Sequence, residues 1–459
     1  MSSTSATARS WAATSRVMGM RADVIVVGAG LGGLCCARDL ALAGTDVVVV
    51  EARARSGGRV EGMRFDDGRI VQLGGEIVGT VHHAYLELAA ELGLEIVPSY
   101  GGEAGENGYD MLDGAHIGED WLTAADRACM DRVEAELQRI AATVDPADPW
   151  SHPDAEHLDR LSVGELIRSL DPTWLAYRLF EAEAGAAGGL GIERASVLAE
   201  ARAAAAVGGV LSSDYEQWEN LKVAGGASVL VDALEQDVAG RIRYNAPVVS
   251  IDVATPCTVT LATGEVLIAE VIVCALPVGP LRNVAITGVS SARLGSLHRQ
   301  RQIMASKAVT VLDEPVWTRV GWNGLAVSEH QTGGYWVQGE STLSSLLGPS
   351  LRTYIDMAPP GVPTRDLLAG IERLCGPVEA RAVLWRHWGS DPYTLGYVTA
   401  WEPGDLLAVG PLHGSHEPPF YVTGSDHWAA GYMEGAVRTG RATARTILGQ
   451  PPVSLFVEP

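Results

Sequence analysis

The sequence predicts an α/β fold, in which separated segments of the chain build one parallel sheet and a second, mixed domain is inserted between them. A strand–helix–strand pattern opens at residues 22–50, and strand signals return at 241–275 and again near 419. Between these segments the pattern is helical over about 85–220 and mixed over 301–390. Strands that alternate with helices are typical of a parallel sheet with helices packed on its faces.

The length of 459 residues favours two or three domains, because one hydrophobic core rarely organises so long a chain. We expect the parallel sheet in residues 21–95, 222–300 and 391–450, and a mixed α+β domain in residues 96–221 and 301–390. Residues 1–20 are rich in Ser, Thr and Ala and are predicted to be a disordered leader.

Charge and composition exclude several classes of function. The formal net charge of −22 argues against a nucleic-acid partner. No stretch approaches the ~20 apolar residues that span a bilayer, so no membrane segment is expected. The six cysteines show no CxxC pair and no metal-ligand spacing with histidine, which predicts reduced thiols, no metal site and a cytoplasmic location. A homodimer is one option for the oligomeric state.

A glycine-rich turn joins the first predicted strand, residues 22–27, to a helix over 31–43 that Gly44 ends. In this turn Gly28 permits a tight bend, Gly30 lets the backbone approach a pyrophosphate, and Gly33 lets the helix pack on the strand. The helix N-terminus adds partial positive charge. Glu51 ends the next strand, 21 residues after Gly30, where its carboxylate can accept hydrogen bonds from a ribose diol. Together these features predict a dinucleotide site.

Two further motifs favour FAD over NAD. Directly after Glu51 the chain reads Ala-Arg-Ala-Arg-Ser-Gly-Gly-Arg, ending at Arg59, so that glycines permit backbone approach to a phosphate and an arginine supplies a planar donor fork. A second glycine pair lies in Leu73-Gly74-Gly75-Glu76. The strand-like segment 245–251 would bring Val248 beside an adenine.

The carboxyl end of the chain completes the pattern. Tyr421-Val422-Thr423-Gly424-Ser425-Asp426 is followed by Gly431-Tyr432-Met433-Glu434-Gly435-Ala436, a strand and then the start of a helix. With these motifs the sequence resembles the flavin monoamine oxidase family, which includes monoamine, putrescine and polyamine oxidases, over residues 23–448. The resemblance implies a GR2-type, Rossmann-like FAD-binding domain in discontinuous segments and an α+β substrate-binding domain.

The resemblance also implies which residues bind FAD. These are Gly28, Gly30, Gly32, Gly33, Glu51, Ala52, Arg53, Gly58, Arg59, Leu73, Gly74, Gly75, Glu76, Val248, Trp388, Gly424, Ser425, Asp426, Tyr432, Met433 and Ala436. Where the family usually has Thr-Glu after the closing glycine, this chain has Ser425-Asp426, which retains a hydroxyl and a carboxylate.

Three residues are implied to take part in catalysis: Lys307, Tyr397 and Tyr432. The family places a lysine at the position of Lys307, bridged through water to flavin N5, and this chain contains only two lysines among 34 basic residues. Tyr397 and Tyr432 match the aromatic pair that flanks the amine; a one-residue gap would put Val398 in the first slot instead. Since Gly396 stands where some relatives carry a flavin-linked Cys, we expect FAD to be held non-covalently.

The implied reaction is oxidation of an amine to an imine, with oxygen reduced to hydrogen peroxide, and the expected partners are therefore a small-molecule amine and O2. Two alternatives stay open. The same fold hosts L-amino-acid oxidases, which need an arginine for the substrate carboxylate, and carbon–carbon desaturases. It also hosts flavin-fold binding proteins without redox chemistry.

Overall fold

The computed structural model describes residues 20–65, 67–99, 104–186, 189–330, 333–348 and 361–457. The predicted leader therefore lies outside the described residues, apart from Met20, whose carbonyl accepts a hydrogen bond from the amide of Ile268. The α/β fold class is confirmed.

An eight-stranded sheet gathers segments that are far apart in sequence. Its strands are, in spatial order, Ala285–Thr287, Val248–Asp252, Cys257–Leu261, Val266–Cys274, Arg21–Val27, Val47–Val50 and Ile242–Arg243, with Phe420–Val422 paired to the long strand Val266–Cys274. This long strand pairs antiparallel with Cys257–Leu261 over its first half and parallel with Phe420–Val422 over its second. The strands predicted at 22–27, 46–50, 241–244, 247–253 and 258–261 are confirmed to within two residues, and the one predicted at 271–275 begins earlier, at Val266.

The two faces of this sheet are both covered. Along the first strand, Val24 and Val26 pack with the helix Leu31–Leu42, whereas Ile25 and Val27 pack into a separate core on the opposite face. Side chains alternate between the faces of a strand, so a strand that is buried on both sides needs an uninterrupted apolar run.

A separate seven-stranded sheet is built mainly from residues 306–387. Its order is Ala380–His387, Ser306–Leu312, Thr342–Leu347, Gly334–Gly339, Trp322–Ser328, Glu106–Met111 and Gly114–Ile117. Its pairs are antiparallel except that of Trp322–Ser328 with Glu106–Met111. The hairpin at 106–117 corrects the prediction of a purely helical pattern over 85–220. Its polar residues hide the strand period, but Asp113-Gly114 is a usable turn signal.

Helices pack against strands of both sheets. They are Leu31–Leu42, His83–Glu91, Ala124–Ala141, Ala155–Arg160, Val163–Ser169, Trp174–Ala186, Val197–Ala205, Tyr215–Trp218, Ala227–Asp237, Val278–Leu281, Ser291–Arg299, Val362–Cys375, Asp405–Val409 and Tyr432–Ile447. Three short strand pairs add to the connections: Gly62–Arg64 with Ile70–Gln72, Ile96–Pro98 with Leu221–Val223, and Arg301–Ile303 with Val398–Ala400. Within the described ranges, no helix combines the length and apolar character that crossing a membrane requires.

Candidate active site

A cavity of about 470 Å³ begins at the glycine turn after the first strand and extends to the seven-stranded sheet. Ligands of open α/β sheets bind in the crevice at the carboxyl ends of the parallel strands. Here the crevice continues into a chamber lined by aromatic side chains, so one cavity joins a dinucleotide cleft to a second compartment.

The glycines of the turn have distinct structural tasks. Gly28 has a φ of +107°, a conformation that side chains rarely adopt. A Cβ on Gly33 would overlap the carbonyl oxygen of Gly28, so helix and turn touch at this point. By contrast, a Cβ on Gly30 would meet no protein atom within 4 Å. The open side of Gly30, which lines the cavity, is where a ligand phosphate can approach the backbone.

Glu51 is fixed at the edge of this turn. It is 4% exposed; its Oε2 accepts a hydrogen bond from the amide of Ala29 at 2.9 Å, and its Oε1 accepts one from the amide of Arg53 at 2.8 Å. A carboxylate offers about four acceptor positions, so each oxygen keeps capacity for a ribose hydroxyl.

Arg59 ties three segments of the chain to the cavity wall. Its Nη1 donates to the carbonyl of Tyr397 at 2.7 Å and to Oδ1 of Asp426 at 2.8 Å, and its Nη2 donates to Oγ of Ser425 at 2.9 Å. Burial opposes the charge on Asp426, but its ion pair with Arg59 and the amide of Val278 outweigh burial, so the pKa of Asp426 lies below its usual value.

Lys307 lies on the strand Ser306–Leu312 and is 3% exposed. Its Nζ donates to Oε2 of Glu76 at 2.6 Å and to the carbonyl of Gly74 at 2.9 Å. The ammonium also lies 5.3 Å from the centre of the Trp336 ring. A residue predicted from strand context and family resemblance is thus held as a buried ion pair in the wall of the cavity.

The aromatic chamber surrounds Tyr432, the first residue of the helix Tyr432–Ile447. Its hydroxyl donates to Oε1 of Glu219 at 3.0 Å, and its ring centre lies 5.1 Å from that of Trp218 and 4.9 Å from that of His82. The φ of Tyr432 is +55°, an unusual value outside glycine that holds the ring in place at the start of the helix.

The tyrosines of this chamber stay neutral at ordinary pH. Burial first, and then the charge of Glu219, raises the pKa of the Tyr432 hydroxyl well above its ordinary value. The same two causes raise the pKa of Tyr397, and burial raises that of Tyr215. Burial lowers the pKa of His82 to about 3, so this neighbour is neutral as well.

Most of the predicted residues line this one cavity. They are Gly28, Gly30, Gly32, Glu51, Ala52, Arg53, Gly58, Arg59, Gly74, Gly75, Glu76, Val248, Lys307, Trp388, Tyr397, Gly424, Ser425, Tyr432, Met433 and Ala436. Gly33, Leu73 and Asp426 do not line it. They lie behind the wall: Gly33 packs against Gly28, Leu73 accepts a hydrogen bond from the Trp388 indole, and Asp426 holds Arg59.

Among the lining residues that sequence reasoning missed are the acidic and aromatic residues Glu200, Tyr215, Trp218 and Glu219. All four belong to the stretch that reads only as helical, and no local motif marks them. Tyr335, Trp336 and Trp401 also line the cavity, whereas Trp428 is buried outside it and donates to the carbonyl of Leu455.

The residues present fit FAD. The open side of Gly30 and the ribose-type acceptor Glu51 belong to the same wall as Arg59 and the start of the last helix. A helix N-terminus stabilises negative charge, which a flavin gains on reduction. The fold and this cleft therefore define a dinucleotide-dependent oxidoreductase.

Comparison with known proteins narrows this class to one family. The family model described as flavin containing amine oxidoreductase matches residues 31–448. The chain belongs to this family, and FAD-dependent oxidation of amines is its chemistry.

The chain is similar over nearly its whole length to several relatives. A protein of Mycobacterium tuberculosis that is named as a flavin-containing monoamine oxidase, AofH, is 29% identical over 93% of this chain and 96% of its own length. Putrescine oxidase of Kocuria rosea is 26% identical over 93% of this chain and 95% of its own. A solved double mutant of putrescine oxidase superposes with a TM-score of 0.86 at 25% identity, covering 94% of this chain and 100% of that one.

Proposed function

We propose that this protein oxidises a primary or secondary amine to the imine, with FAD bound non-covalently and with oxygen as the final acceptor, which yields hydrogen peroxide. The main support for this proposal is that a single cavity joins the dinucleotide cleft to a chamber of neutral aromatic side chains. None of the cavity-lining residues that the structure describes is a cysteine, which favours non-covalent binding.

In this proposal Tyr397 and Tyr432 orient the amine and exclude water. Their faces suit a cationic or polarised nitrogen, and the Glu219 carboxylate beside Tyr432 favours a positively charged group nearby. The amine must react as the neutral base, because the nitrogen lone pair supports loss of the C–H hydrogen. FAD, when bound, supplies the two-electron acceptor.

The charges of the cavity favour an amine over an amino acid. The lining cations of the described structure are Arg53, Arg59 and Lys307, and each has a carboxylate partner: Asp391, Asp426 and Glu76. The lining also carries the carboxylates Glu200 and Glu219, the second of which contacts Tyr432 in the aromatic chamber. An amino-acid oxidase needs a cation for the substrate carboxylate, and these acids would repel it.

A panel of amines assayed with a peroxide-coupled readout tests the proposal. We expect turnover with at least one amine and none with the L-amino acids of matching side chain. Peroxide from amino acids alone would favour the amino-acid oxidase. A colourless protein that stays colourless with added FAD would favour the non-redox alternative.

The division into an FAD-binding unit (residues 21–95, 222–300 and 391–450) and a substrate-binding unit (residues 96–221 and 301–390) is part of this proposal. So are the cytoplasmic location and a homodimer.

The first prediction concerns the cofactor bond. The protein should purify yellow and release all of its flavin as free FAD after acid or heat denaturation, because the cavity lining contains no cysteine among the described residues. The supernatant and the precipitate are compared by absorbance. Flavin that stays with the precipitate would contradict non-covalent binding.

Glu51→Ala should weaken FAD binding without altering the rate of fully loaded enzyme. Loss of a buried acceptor typically costs about 1–3 kcal/mol, which corresponds to roughly 5- to 150-fold in affinity. Titration of the apoprotein with FAD measures this directly. Glu61→Ala is the control, since Glu61 pairs with Arg55 and Arg386 outside the lining. Unchanged affinity in Glu51→Ala would refute the ribose assignment.

The rate at which the amine reduces the flavin should rise with pH, and the pH profile should show a single ionisation. Because burial raises the pKa values of Tyr397 and Tyr432, both stay protonated as the pH rises, and the group that titrates is the bound amine. Among amines of different basicity, the midpoint of this profile should shift in parallel with the pKa of the amine. A midpoint that stays fixed across such amines would assign the ionisation to the protein instead.

A further inference from the structure

Glu76 carries a buried carboxylate oxygen without a hydrogen-bond partner. Its Oε2 is crowded: it accepts from Lys307 at 2.6 Å, from Nε2 of Gln338 at 2.9 Å and from Oγ of Ser344 at 3.0 Å. Its Oε1 is buried and makes no hydrogen bond. The whole residue is 4% exposed and lines the cavity.

An unpaired buried oxygen is uncommon, because buried polar groups are nearly always hydrogen-bonded. The three side-chain donors, Lys307, Gln338 and Ser344, all contact the other oxygen, Oε2, so the carboxylate is held through that oxygen.

The ion pair also fixes the charge of this wall. The side chains of Lys307 and Glu76 are 4% and 3% exposed, so neither charge is screened by bulk water. Together they are neutral, but removal of either would leave one uncompensated buried charge next to the cavity. Two of the three ammonium hydrogens of Lys307 are engaged, by Glu76 and by the carbonyl of Gly74, which restricts its position.

We propose that Glu76 is a positioning residue: it holds Lys307 at the cavity wall and cancels its charge there. The inference rests on the proposed function, since it takes FAD to be the occupant whose redox equilibrium senses this charge. It assigns to Glu76 a task distinct from contact with the cofactor alone.

The test compares Glu76→Gln, Lys307→Met and the double variant, all loaded with FAD. Each is equilibrated anaerobically with a dye of known potential, and the ratio of reduced to oxidised flavin is read from the spectrum. Glu76→Gln leaves a positive charge and should raise the ratio on the order of tenfold, whereas Lys307→Met leaves a negative charge and should lower it by a similar factor. The double variant should lie within about threefold of the parent, because it has neither charge.

A second readout isolates positioning. Glu76→Gln should slow the reaction of reduced enzyme with oxygen about fivefold or more when Lys307 is present, because the loss of the ammonium's fixed position outweighs the charge that is no longer cancelled. In the Lys307→Met background the same substitution should slow it less than about twofold. Glu200→Gln is the matched control. It removes the same charge from the same cavity without contacting Lys307, so its effect on the oxygen reaction should be equal in both backgrounds.

Shifts of the same sign in the two single variants, or an equal loss of oxygen reactivity with and without Lys307, would overturn the inference. If Glu76→Gln does not fold, the double variant is compared with Lys307→Met alone. Its ratio of reduced to oxidised flavin must then be closer to that of the parent than the ratio of Lys307→Met is; otherwise the inference is overturned. A parent that binds FAD and oxidises amines would keep the proposed function intact in those cases. A parent that binds no FAD overturns both.

Discussion

Gly30→Ala should leave the apoprotein folded and remove most of its affinity for FAD. The backbone of Gly30 is at φ −69°, which alanine adopts freely, and a Cβ there meets no protein atom within 4 Å. The methyl group would instead occupy the side of the turn that a pyrophosphate approaches. An overpacking penalty of about 1–3 kcal/mol corresponds to roughly a 5- to 150-fold loss of affinity.

Gly33→Ala, three residues further along the same glycine-rich segment, should instead destabilise the fold. Its Cβ would overlap the Gly28 carbonyl, a backbone atom that cannot move without separating helix from strand. We expect a loss of at least ~4 kcal/mol in the free energy of unfolding, among the largest single-residue effects. Thermal unfolding of both apoproteins, with FAD titration where they fold, measures the contrast. Equal stability of the two variants would show that the turn is not packed as described.

Lys307→Met should slow the reoxidation of reduced enzyme by oxygen at least ~10-fold, equivalent to about 1.4 kcal/mol of barrier. A positive charge beside the reacting centre stabilises the negative charge that oxygen acquires, and methionine keeps the length without the charge. Reduction of the enzyme by the amine in the absence of oxygen should change less, because that step moves electrons away from the substrate.

The other lysine supplies the control. Lys222 donates to the carbonyl of Gln338 and does not line the cavity, so Lys222→Met should reoxidise at the parental rate. Stopped-flow traces separate the two half-reactions. If Lys307→Met and the parent react equally fast with oxygen, Lys307 has only a structural task in its strand.

Local patterns predicted the parts of the fold that local chemistry determines. The run Val47–Val50 is buried on both faces of its sheet, so its apolar composition identified it, and the glycines after Val27 marked the turn that follows. The hairpin formed by Glu106–Met111 and Gly114–Ile117 was not predicted, because half-polar strands at one end of a sheet lack a clear hydrophobic period.

Contacts between distant segments could not be predicted in the same way. Glu76 and Lys307 are 231 residues apart, and neither motif indicates that they pair. Likewise Asp426 follows the lining residue Ser425 but does not line the cavity itself, because the short helical turn Ser425–His427 directs the two side chains differently. Asp426 instead pairs with Arg59 from behind the cavity wall. Glu219 lines the cavity and accepts a hydrogen bond from Tyr432, another contact between distant parts of the chain.

In the proposed reaction, this protein passes electrons from an amine to non-covalently bound FAD and then to oxygen. The most direct measurement mixes the yellow protein anaerobically with an amine from the panel, follows the flavin absorbance, and then admits oxygen while peroxide is quantified. We expect the flavin absorbance to be lost with amine and to return with oxygen, with one peroxide formed per flavin reduced. Flavin that stays oxidised with every amine, or that is reduced by amino acids alone, would contradict it.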